Sequence, residues 1–212
     1  MTKVYFIRHC ETIANRDMII QGTMEFDASP EGEKQLEKLK ERFENIHLDK
    51  IYTSPLIRTL KTANAVRGTR DIEIIKEKGF IEFDFGDCQG KTHKQIEAEL
   101  PEVYRLFKEE FHKMQAPGGQ TYSEFYKIAW DTTQKTISQN KDKTIAVVSH
   151  GGTIRAIMCH LLFDDKTKIH DVPRVVNTAV FEIDFYDDGT FDIKIANDDS
   201  HLDKKAAVRL EI

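Results

Sequence analysis

Two arginines and two histidines stand at or just beyond the ends of predicted buried strands. Arg8 and His9 follow an apolar run near the start of the chain, and His150 follows another apolar run much later. Arg58 lies in the first turn of the helix predicted after a further strand. Arginine forks bind oxyanions through paired hydrogen bonds, and a neutral imidazole can act as a nucleophile near pH 7. These residues therefore indicate a phosphate or sulfate pocket, in which one histidine could be a nucleophile.

Each of these residues also has a structural interpretation. A lone arginine at a strand end is more often a surface charge, and a histidine there is more often a hydrogen-bonded structural residue. Because the carboxyl ends of parallel strands form one edge of a sheet, the joint placement of the four residues favours the site over the separate structural roles.

Strands and helices alternate along the chain, as their hydrophobic periodicity shows. The predicted strands are Val4–Ile7, Lys50–Thr53, Ile72–Ile75 and Thr144–Ser149, followed by two alternating runs, Ala179–Tyr186 and Thr190–Ala196, joined as a hairpin by Asp187-Asp188-Gly189. The predicted helices run from Pro30 to about Ile46, from Pro55 to Arg67, in two short pieces from Lys94 that Pro101 separates, from Tyr122 to about Gln139, and from Gly151 to about Leu162.

Several helix starts carry capping signals. Ser29-Pro30 and Ser54-Pro55 each combine an N-cap residue with a proline at the first helical position. Thr121 and Glu124 fit a capping box. The glycine-containing segment 78–92 predicts an ordered loop.

Strands alternating with helices predict an α/β fold: a three-layer α/β/α domain with a mostly parallel central sheet and a C-terminal β-hairpin. No linker in the sequence requires a second domain. We therefore predict a single domain over residues 1–212, with a small helical cap formed by residues 92–116.

Composition excludes several classes of function. The 212 residues carry 31 basic and 36 acidic side chains, a formal net charge of −5, which argues against general affinity for nucleic acid. No apolar run approaches the roughly 18 residues of a membrane span, and no signal peptide is visible, so no membrane partner is expected.

Three cysteines without a CxxC pair make no disulfide framework, which favours a reducing cytoplasm. Cys159-His160 lies inside a predicted helix without a second ligand pair, which favours a core position over a zinc site.

Four ordered motifs resemble those of the histidine phosphatase (phosphoglycerate mutase-like) superfamily and span nearly the whole chain. They are Phe6-Ile7-Arg8-His9-Cys10-Glu11-Thr12 with Asn15, similar to an RHGET motif; Thr53-Ser54-Pro55-Leu56-Ile57-Arg58-Thr59, similar to SSPLxRA; the loop with Glu82, Phe85-Gly86 and Gln89-Gly90; and Val148-Ser149-His150-Gly151-Gly152. Pro117-Gly118-Gly119 and Asn197-Asp198 with Ser200-His201-Leu202 also match stretches common in that superfamily.

The resemblance implies the roles of the site residues. The implied catalytic residues are His9 as the nucleophile that forms a phosphohistidine, Glu82 as general acid and base, and His150; the implied phosphate-binding residues are Arg8, Asn15, Arg58 and Gly151. The resemblance implies neither a metal nor a cofactor.

Two positions depart from the usual motifs. Cys10 follows the nucleophile where the superfamily usually has glycine, and Cys88 stands on the Glu82 loop where it often has Trp or Leu. The simpler interpretation of Cys10 is a tolerated small residue. The alternative is redox sensitivity, since a positive pocket would favour a thiolate.

Within this superfamily the choice is between a phosphatase and a mutase. Cofactor-dependent mutases typically carry an inserted arginine pair followed by prolines, whereas only Arg105 and Pro101 stand between Gly90 and Pro117. Hydrolysis of a small phosphorylated metabolite, with inorganic phosphate as product, is therefore the leading prediction. A phosphoglycerate mutase and a non-catalytic phospho-ligand binder are the alternatives, and the sequence fixes neither the substrate nor the oligomeric state.

Overall fold

A computed structural model describes residues 1–202. Six strands form one mixed sheet: β1 Thr2–Arg8, β2 Lys50–Thr53, β3 Ile74–Lys76, β4 Thr144–Ser149, β5 Val180–Phe185 and β6 Phe191–Asp198, in the order β3-β2-β4-β1-β5-β6. The four strands β1 to β4 are mutually parallel, and the hairpin β5-β6 adds antiparallel to β1. The predicted α/β fold with a mostly parallel sheet and a C-terminal hairpin is confirmed.

The helices connect these strands as expected from the periodicity. They are α1 Ile13–Arg16, α2 Pro30–Phe43, α3 Ile57–Arg67, α4 His93–Glu99, α5 Pro101–Glu109, α6 Tyr122–Ser138 and α7 Gly151–Phe163. Short 3₁₀ turns cover Lys78–Phe80, Gly86–Cys88, Phe111–Lys113 and Lys166–Asp171. Within residues 1–202, no helix is both long enough and apolar enough to cross a membrane.

The alternation of side chains along β1 builds a core on each face of the sheet. Val4 and Phe6 face one core, which contains residues of α6 and α7. Tyr5 and Ile7 face the other core, which contains residues of α2 and α3. Successive strand residues point to opposite faces, so one buried strand supplies both layers and both faces carry helices.

Several predicted boundaries were wrong, and helix α2, for example, ends at Phe43 and not near Ile46. The third strand covers Ile74–Lys76, two residues later at its start than the pattern indicated. Helix α3 begins at Ile57, its N-cap is Leu56, and Ser54 does not cap it through its side chain. The Ser54 carbonyl accepts from the Thr59 hydroxyl at 2.9 Å, and the Ser54 hydroxyl contacts His150. Ser54 therefore fixes the end of β2 against these two residues.

Residues 92–116, where we predict a cap, form α4, α5 and a 3₁₀ turn. Thr92 caps α4 with a capping box, and Pro101 begins α5 as its position predicted. Phe107 and Phe111 of this segment pack against Phe85 on the loop before it, with ring centroids 6.0 and 6.3 Å apart. Residues 203–212 of the predicted domain lie outside the described residues.

Candidate active site

His9 lies directly beyond β1 and is 3% exposed. Its Nδ1 is 2.7 Å from the carbonyl oxygen of Cys10. A carbonyl can only accept, so Nδ1 carries the proton of the neutral ring and Nε2 carries the free electron pair. Burial, and then the positive charges of Arg58 and Arg8, hold the pKa of His9 well below its usual value. His9 is therefore a neutral imidazole with an available Nε2.

The main chain of His9 is held on both sides. Its N–H donates to the Ser149 carbonyl at 2.9 Å, which ties it to the end of β4. Its own carbonyl accepts from the side-chain amide of Asn177 at 3.0 Å and from the Thr178 N–H at 3.3 Å. Asn177 is thus a supporting residue that no sequence motif indicated.

Arg58 is 1% exposed and lies in the first turn of α3, where the sequence predicted it. Its Nη1 donates to the Met24 carbonyl at 2.7 Å, and its Nη2 donates to the Gly22 carbonyl at 2.6 Å. Its Nε donates to Nδ1 of His150 at 3.3 Å. Within residues 1–202 no carboxylate forms an ion pair with this guanidinium, so its positive charge remains available to an anion.

His150 precedes α7 and is fully buried. Because Arg58 donates to its Nδ1, the proton of the neutral ring lies on Nε2, which donates to the Ser54 hydroxyl at 2.8 Å. Burial, and then the charge of Arg58, hold the pKa of His150 well below its usual value. The rings of His150 and His9 meet edge to face, with centroids 5.2 Å apart.

Arg8 reaches over the start of α7. Its Nη1 donates to the Val175 carbonyl at 2.5 Å, whereas its Nε is buried without a hydrogen-bond partner in residues 1–202. A Cβ added to Gly151 would lie 3.2 Å from that Nε. The missing side chain at Gly151 therefore lets the guanidinium lie against the helix N-terminus, which itself favours anions. Burial lowers the pKa of Arg8 to about 10.

Glu82 is fixed by backbone donors. The Phe83 N–H donates to its Oε1 at 2.9 Å, and the Gly152 N–H donates to its Oε2 at 3.0 Å. A Cβ added to Gly152 would lie only 2.5 Å from Oε1. Glycine at this position is therefore what allows the carboxyl group to rest on the start of α7.

Asn15 lies in the capping box of α1 and also contacts Asn177. Its Oδ1 accepts from the Thr12 N–H at 3.1 Å in the capping box of α1 and from Asn177 Nδ2 at 3.3 Å. Its own Nδ2 has no partner in the described part of the chain and remains a free donor. The structure thus links Asn15 to His9 through Asn177.

A cavity of about 660 Å³ opens beside these residues. Arg8, Glu82, Gly151 and Gly152 line it on the side of the histidines. The rest of the wall is cationic, imidazole or apolar: Lys108, Arg155, Arg174, His93, His170, Ile20, Phe85, Phe107, Phe111, Ile169, Val172, Pro173 and Val175. A small phosphorylated molecule fits a space of this size and charge.

The sequence analysis missed the three cations Lys108, Arg155 and Arg174. Arg155 stands four residues after Gly151 on α7, so helical spacing could have placed it on the same face. Arg174 lies on the loop before β5 and Lys108 on the predicted cap, and neither position carries a local signal for a site.

The environment of Cys10 favours the interpretation as a tolerated small residue over the redox alternative. Cys10 is fully buried, and burial raises the pKa of its thiol to about 11, although the hydrogen bond with Thr62 and the charge of Lys61 act to lower it. Its N–H donates to the Thr62 hydroxyl at 3.0 Å. Burial also raises the pKa of Cys88, which is 1% exposed. Desolvation thus outweighs the electrostatic effect that the sequence suggested.

Cys159 and His160 belong to the core and its edge. The Cys159 thiol donates to the Asp165 carbonyl at 3.2 Å, and the His160 ring stacks on Trp130 with centroids 4.1 Å apart. Across residues 1–202, no group of three or more His, Cys, Asp or Glu side chains is placed to hold a metal ion.

Known proteins share this sequence pattern and this architecture. The family model described as "Histidine phosphatase superfamily (branch 1)" matches residues 4–199. Phosphoserine phosphatase 1 of Hydrogenobacter thermophilus is 34% identical over 79% of this chain and 80% of its own length.

Two solved structures are similar along most of their length. YhfR of Bacillus stearothermophilus has a TM-score of 0.90 and 28% identity, covering 95% of this chain and 99% of its own. A phosphoserine phosphatase of Entamoeba histolytica, solved with phosphoserine, has a TM-score of 0.82 and 28% identity, covering 95% and 100%. The same enzyme was also solved with 3-phosphoglyceric acid, with a TM-score of 0.81, 28% identity, and coverage of 95% and 99%. The chain therefore belongs to branch 1 of the histidine phosphatase superfamily and is a phosphoric monoester hydrolase of that superfamily.

Proposed function

We propose that this protein is a metal-independent phosphomonoesterase that hydrolyses a small phosphorylated metabolite through a phosphohistidine on His9. The observation that carries the proposal is the hydrogen bond from His9 Nδ1 to the Cys10 carbonyl. That bond leaves the Nε2 electron pair free, in a neutral ring beside the guanidinium groups of Arg8 and Arg58.

In the first step, His9 Nε2 attacks phosphorus and the bond from phosphorus to the ester oxygen breaks. Arg8, Arg58 and the Gly151 N–H at the start of α7 stabilise the charge on the transferring oxygens. Glu82 gives its proton to the leaving alcohol oxygen, a contribution that is typically worth about 10²–10⁴ in rate. The carboxyl position suits this role, because backbone N–H groups fix both its oxygens.

In the second step, water attacks the phosphohistidine and the P–N bond breaks. Glu82, now a carboxylate, takes a proton from the water, and its cycle is complete. His150 holds Arg58 through Nδ1 and lies edge to face with His9, so in our proposal it positions the nucleophile and its neighbouring cation.

The phosphatase is favoured over the mutase and the binder by particular residues. Arg105, the arginine of segment 92–116, is engaged by Glu102 and Glu110 at 3.1 and 2.8 Å, so this segment lacks the free arginine pair of a mutase insertion. The nucleophile, the general acid and the anion-binding arginines are all present in one place, which a silent binder would not need. The relatives' names point to small phosphorylated acids as substrates, and a cytoplasmic setting remains our prediction.

Release of phosphate from p-nitrophenyl phosphate in the presence of a chelator tests this proposal. We expect turnover by the wild type and a loss of at least about 10³-fold in His9→Ala, since a positioned nucleophile and its chemistry are removed. His47→Ala is the matched control, because the His47 side chain is 79% exposed. Interconversion of 2- and 3-phosphoglycerate that requires 2,3-bisphosphoglycerate would instead favour the mutase, and phosphate-ester binding without turnover would favour the binder.

A further inference from the structure

Three cations that line the cavity, Lys108, Arg155 and Arg174, lack anionic partners in residues 1–202. Within residues 1–202, the side chains of Lys108 and Arg174 make neither a hydrogen bond nor an ion pair, although ion pairs are frequent elsewhere on this surface. The guanidinium of Arg155 donates to the carbonyls of Ile169 and Val172 at 2.7 and 2.9 Å, but to no carboxylate in the described part of the chain.

These cations are close enough to act on one another. Burial is the largest cause of a lowered pKa at Arg8, Arg155 and His93, and the positive charge of Arg174 contributes at all three. Lys108 also contributes at His93. Like charges gathered without counterions repel, and an anion bound among them relieves that repulsion.

The cavity wall contains one acid, Glu82, against four cations, Arg8, Lys108, Arg155 and Arg174. Both Glu82 oxygens already accept from backbone N–H groups. The phosphoryl pocket that we propose uses Arg8 and the buried Arg58, so it leaves three of the wall cations without an anion. A ligand with a single phosphate would leave that part of the wall uncompensated.

We propose that Lys108, Arg155 and Arg174 form a second anionic subsite that binds the carboxylate of a short phosphomonoester, and that the preferred substrate carries no ammonium group. This inference rests on the proposed function and names its substrate class. An ammonium next to the carboxylate would face arginines and would find no free carboxylate on the cavity wall. A hydroxyl at that carbon adds no such repulsion.

Three substrates of one carbon skeleton isolate these features. Glycerol 3-phosphate lacks the carboxylate, 3-phosphoglycerate has the carboxylate and a hydroxyl, and phosphoserine has the carboxylate and an ammonium. We expect kcat/KM for 3-phosphoglycerate to exceed the values for glycerol 3-phosphate and phosphoserine by at least about ten-fold. A factor of this size corresponds to one well-placed charge interaction. Equal values for 3-phosphoglycerate and glycerol 3-phosphate, or a preference for phosphoserine, would overturn the inference.

Variants assign the preference to the subsite. In Lys108→Gln and Arg174→Gln, the ratio of kcat/KM for 3-phosphoglycerate to that for glycerol 3-phosphate should fall at least about five-fold. Arg105→Gln is the matched control: it removes one positive charge from the same helix as Lys108, but Arg105 points to Glu102 and Glu110 outside the cavity wall. If the ratio changes as much in Arg105→Gln, the preference comes from the overall positive charge of the region, and the subsite is contradicted.

Failure of the subsite and failure of the phosphatase proposal are distinguishable. Turnover of p-nitrophenyl phosphate with no preference among the three esters rejects the subsite alone. If the wild type turns over none of these esters, the phosphatase proposal fails, and calorimetric titration of the same three ligands into His9→Ala still measures the subsite. Tighter binding of 3-phosphoglycerate than of the other two supports it, and equal binding rejects it.

Discussion

The Nδ1 atom of His9 lies 2.7 Å from the carbonyl oxygen of Cys10, the residue that follows it. This local bond fixes both the tautomer and the direction of the ring without a second side chain. The carbonyl of His9 is in turn held by Asn177 at 3.0 Å, so the loop before β5 locks the same segment from the other side. If His9 is the nucleophile that we propose, it needs no reorganisation before it attacks phosphorus.

Glu82→Gln should lower kcat in a way that depends on the leaving group. The amide keeps one acceptor oxygen for the two backbone donors and cannot give a proton, so glycerol 3-phosphate turnover should fall by about 10²–10⁴. The loss with p-nitrophenyl phosphate should be much smaller, because p-nitrophenolate leaves without protonation. Steady-state kcat for both esters measures this difference. Equal losses for the two leaving groups would contradict a role of Glu82 as general acid.

Gly152→Ala should separate folding from catalysis. The added methyl group would lie 2.5 Å from Glu82 Oε1, so the carboxyl end must move, while alanine suits the first turn of a helix better than glycine does. We expect an unchanged or higher Tm together with at least about a ten-fold loss of kcat on glycerol 3-phosphate. Thermal unfolding and kcat, measured on one preparation, check the expected Tm and the expected loss of activity together. An active Gly152→Ala enzyme would show that the observed Glu82 position is not the catalytic one.

Stability should fall as the pH falls below about 6.5, because buried histidines stay neutral in the folded protein. Burial, and then the charge of Arg42, lower the pKa of His201 to about 4. Between these values the unfolded chain binds the extra proton, so His201 should cost about 1.4 kcal/mol of the free energy of unfolding per pH unit. The lowered pKa values of His9 and His150 act in the same direction.

Urea unfolding at about pH 7 and about pH 5 measures that slope. In His201→Gln the loss of stability between the two pH values should be smaller than in the wild type, since one titrating group is removed. The substitution lies away from the cavity: the His201 ring contacts Arg42 and Thr178. Parallel stability curves for the two proteins would contradict the contribution of His201.

Peroxide should not inhibit the enzyme through Cys10. The thiol is fully buried and its pKa is raised to about 11, so almost no thiolate is present near neutral pH. We expect wild type and Cys10→Ala to lose the same small fraction of activity in a peroxide titration. Selective protection of Cys10→Ala would restore the redox interpretation.

The sheet, and the gathering of the candidate site residues at one edge of it, could be predicted from the sequence for a physical reason. Arg8, His9 and His150 stand at the ends of strongly apolar strands, and parallel strands bring such ends to one edge. Ser54 shows where local signals fail: the sequence offers it as an N-cap, but His150 and Thr59 use its polar groups instead. Tertiary hydrogen bonds outweighed a helix-start preference that is worth only about 1 kcal/mol.

The cations Lys108, Arg155 and Arg174 on the cavity wall could not be predicted from the sequence in the same way. The whole of α6, β4 and α7 lies between Lys108 and Arg174 in the sequence, and only the folded loop before β5 brings Arg174 to the cavity. The sequence left the redox alternative for Cys10 open for another reason. It shows neighbouring charges, but it does not show the burial that decides the pKa of a thiol. Asn177 likewise acts through a contact that no motif spacing reveals.

The central claim is that the phosphoryl group passes through His9. A rapid-quench experiment with a ³²P-labelled ester, followed by peptide mapping, tests it most directly. The account predicts a transient label on the peptide containing His9 that is stable in base and lost in acid, as a phosphoramidate should be, and that is missing in His9→Ala. Hydrolysis at the full rate without such a label, or a label on another residue, would contradict it.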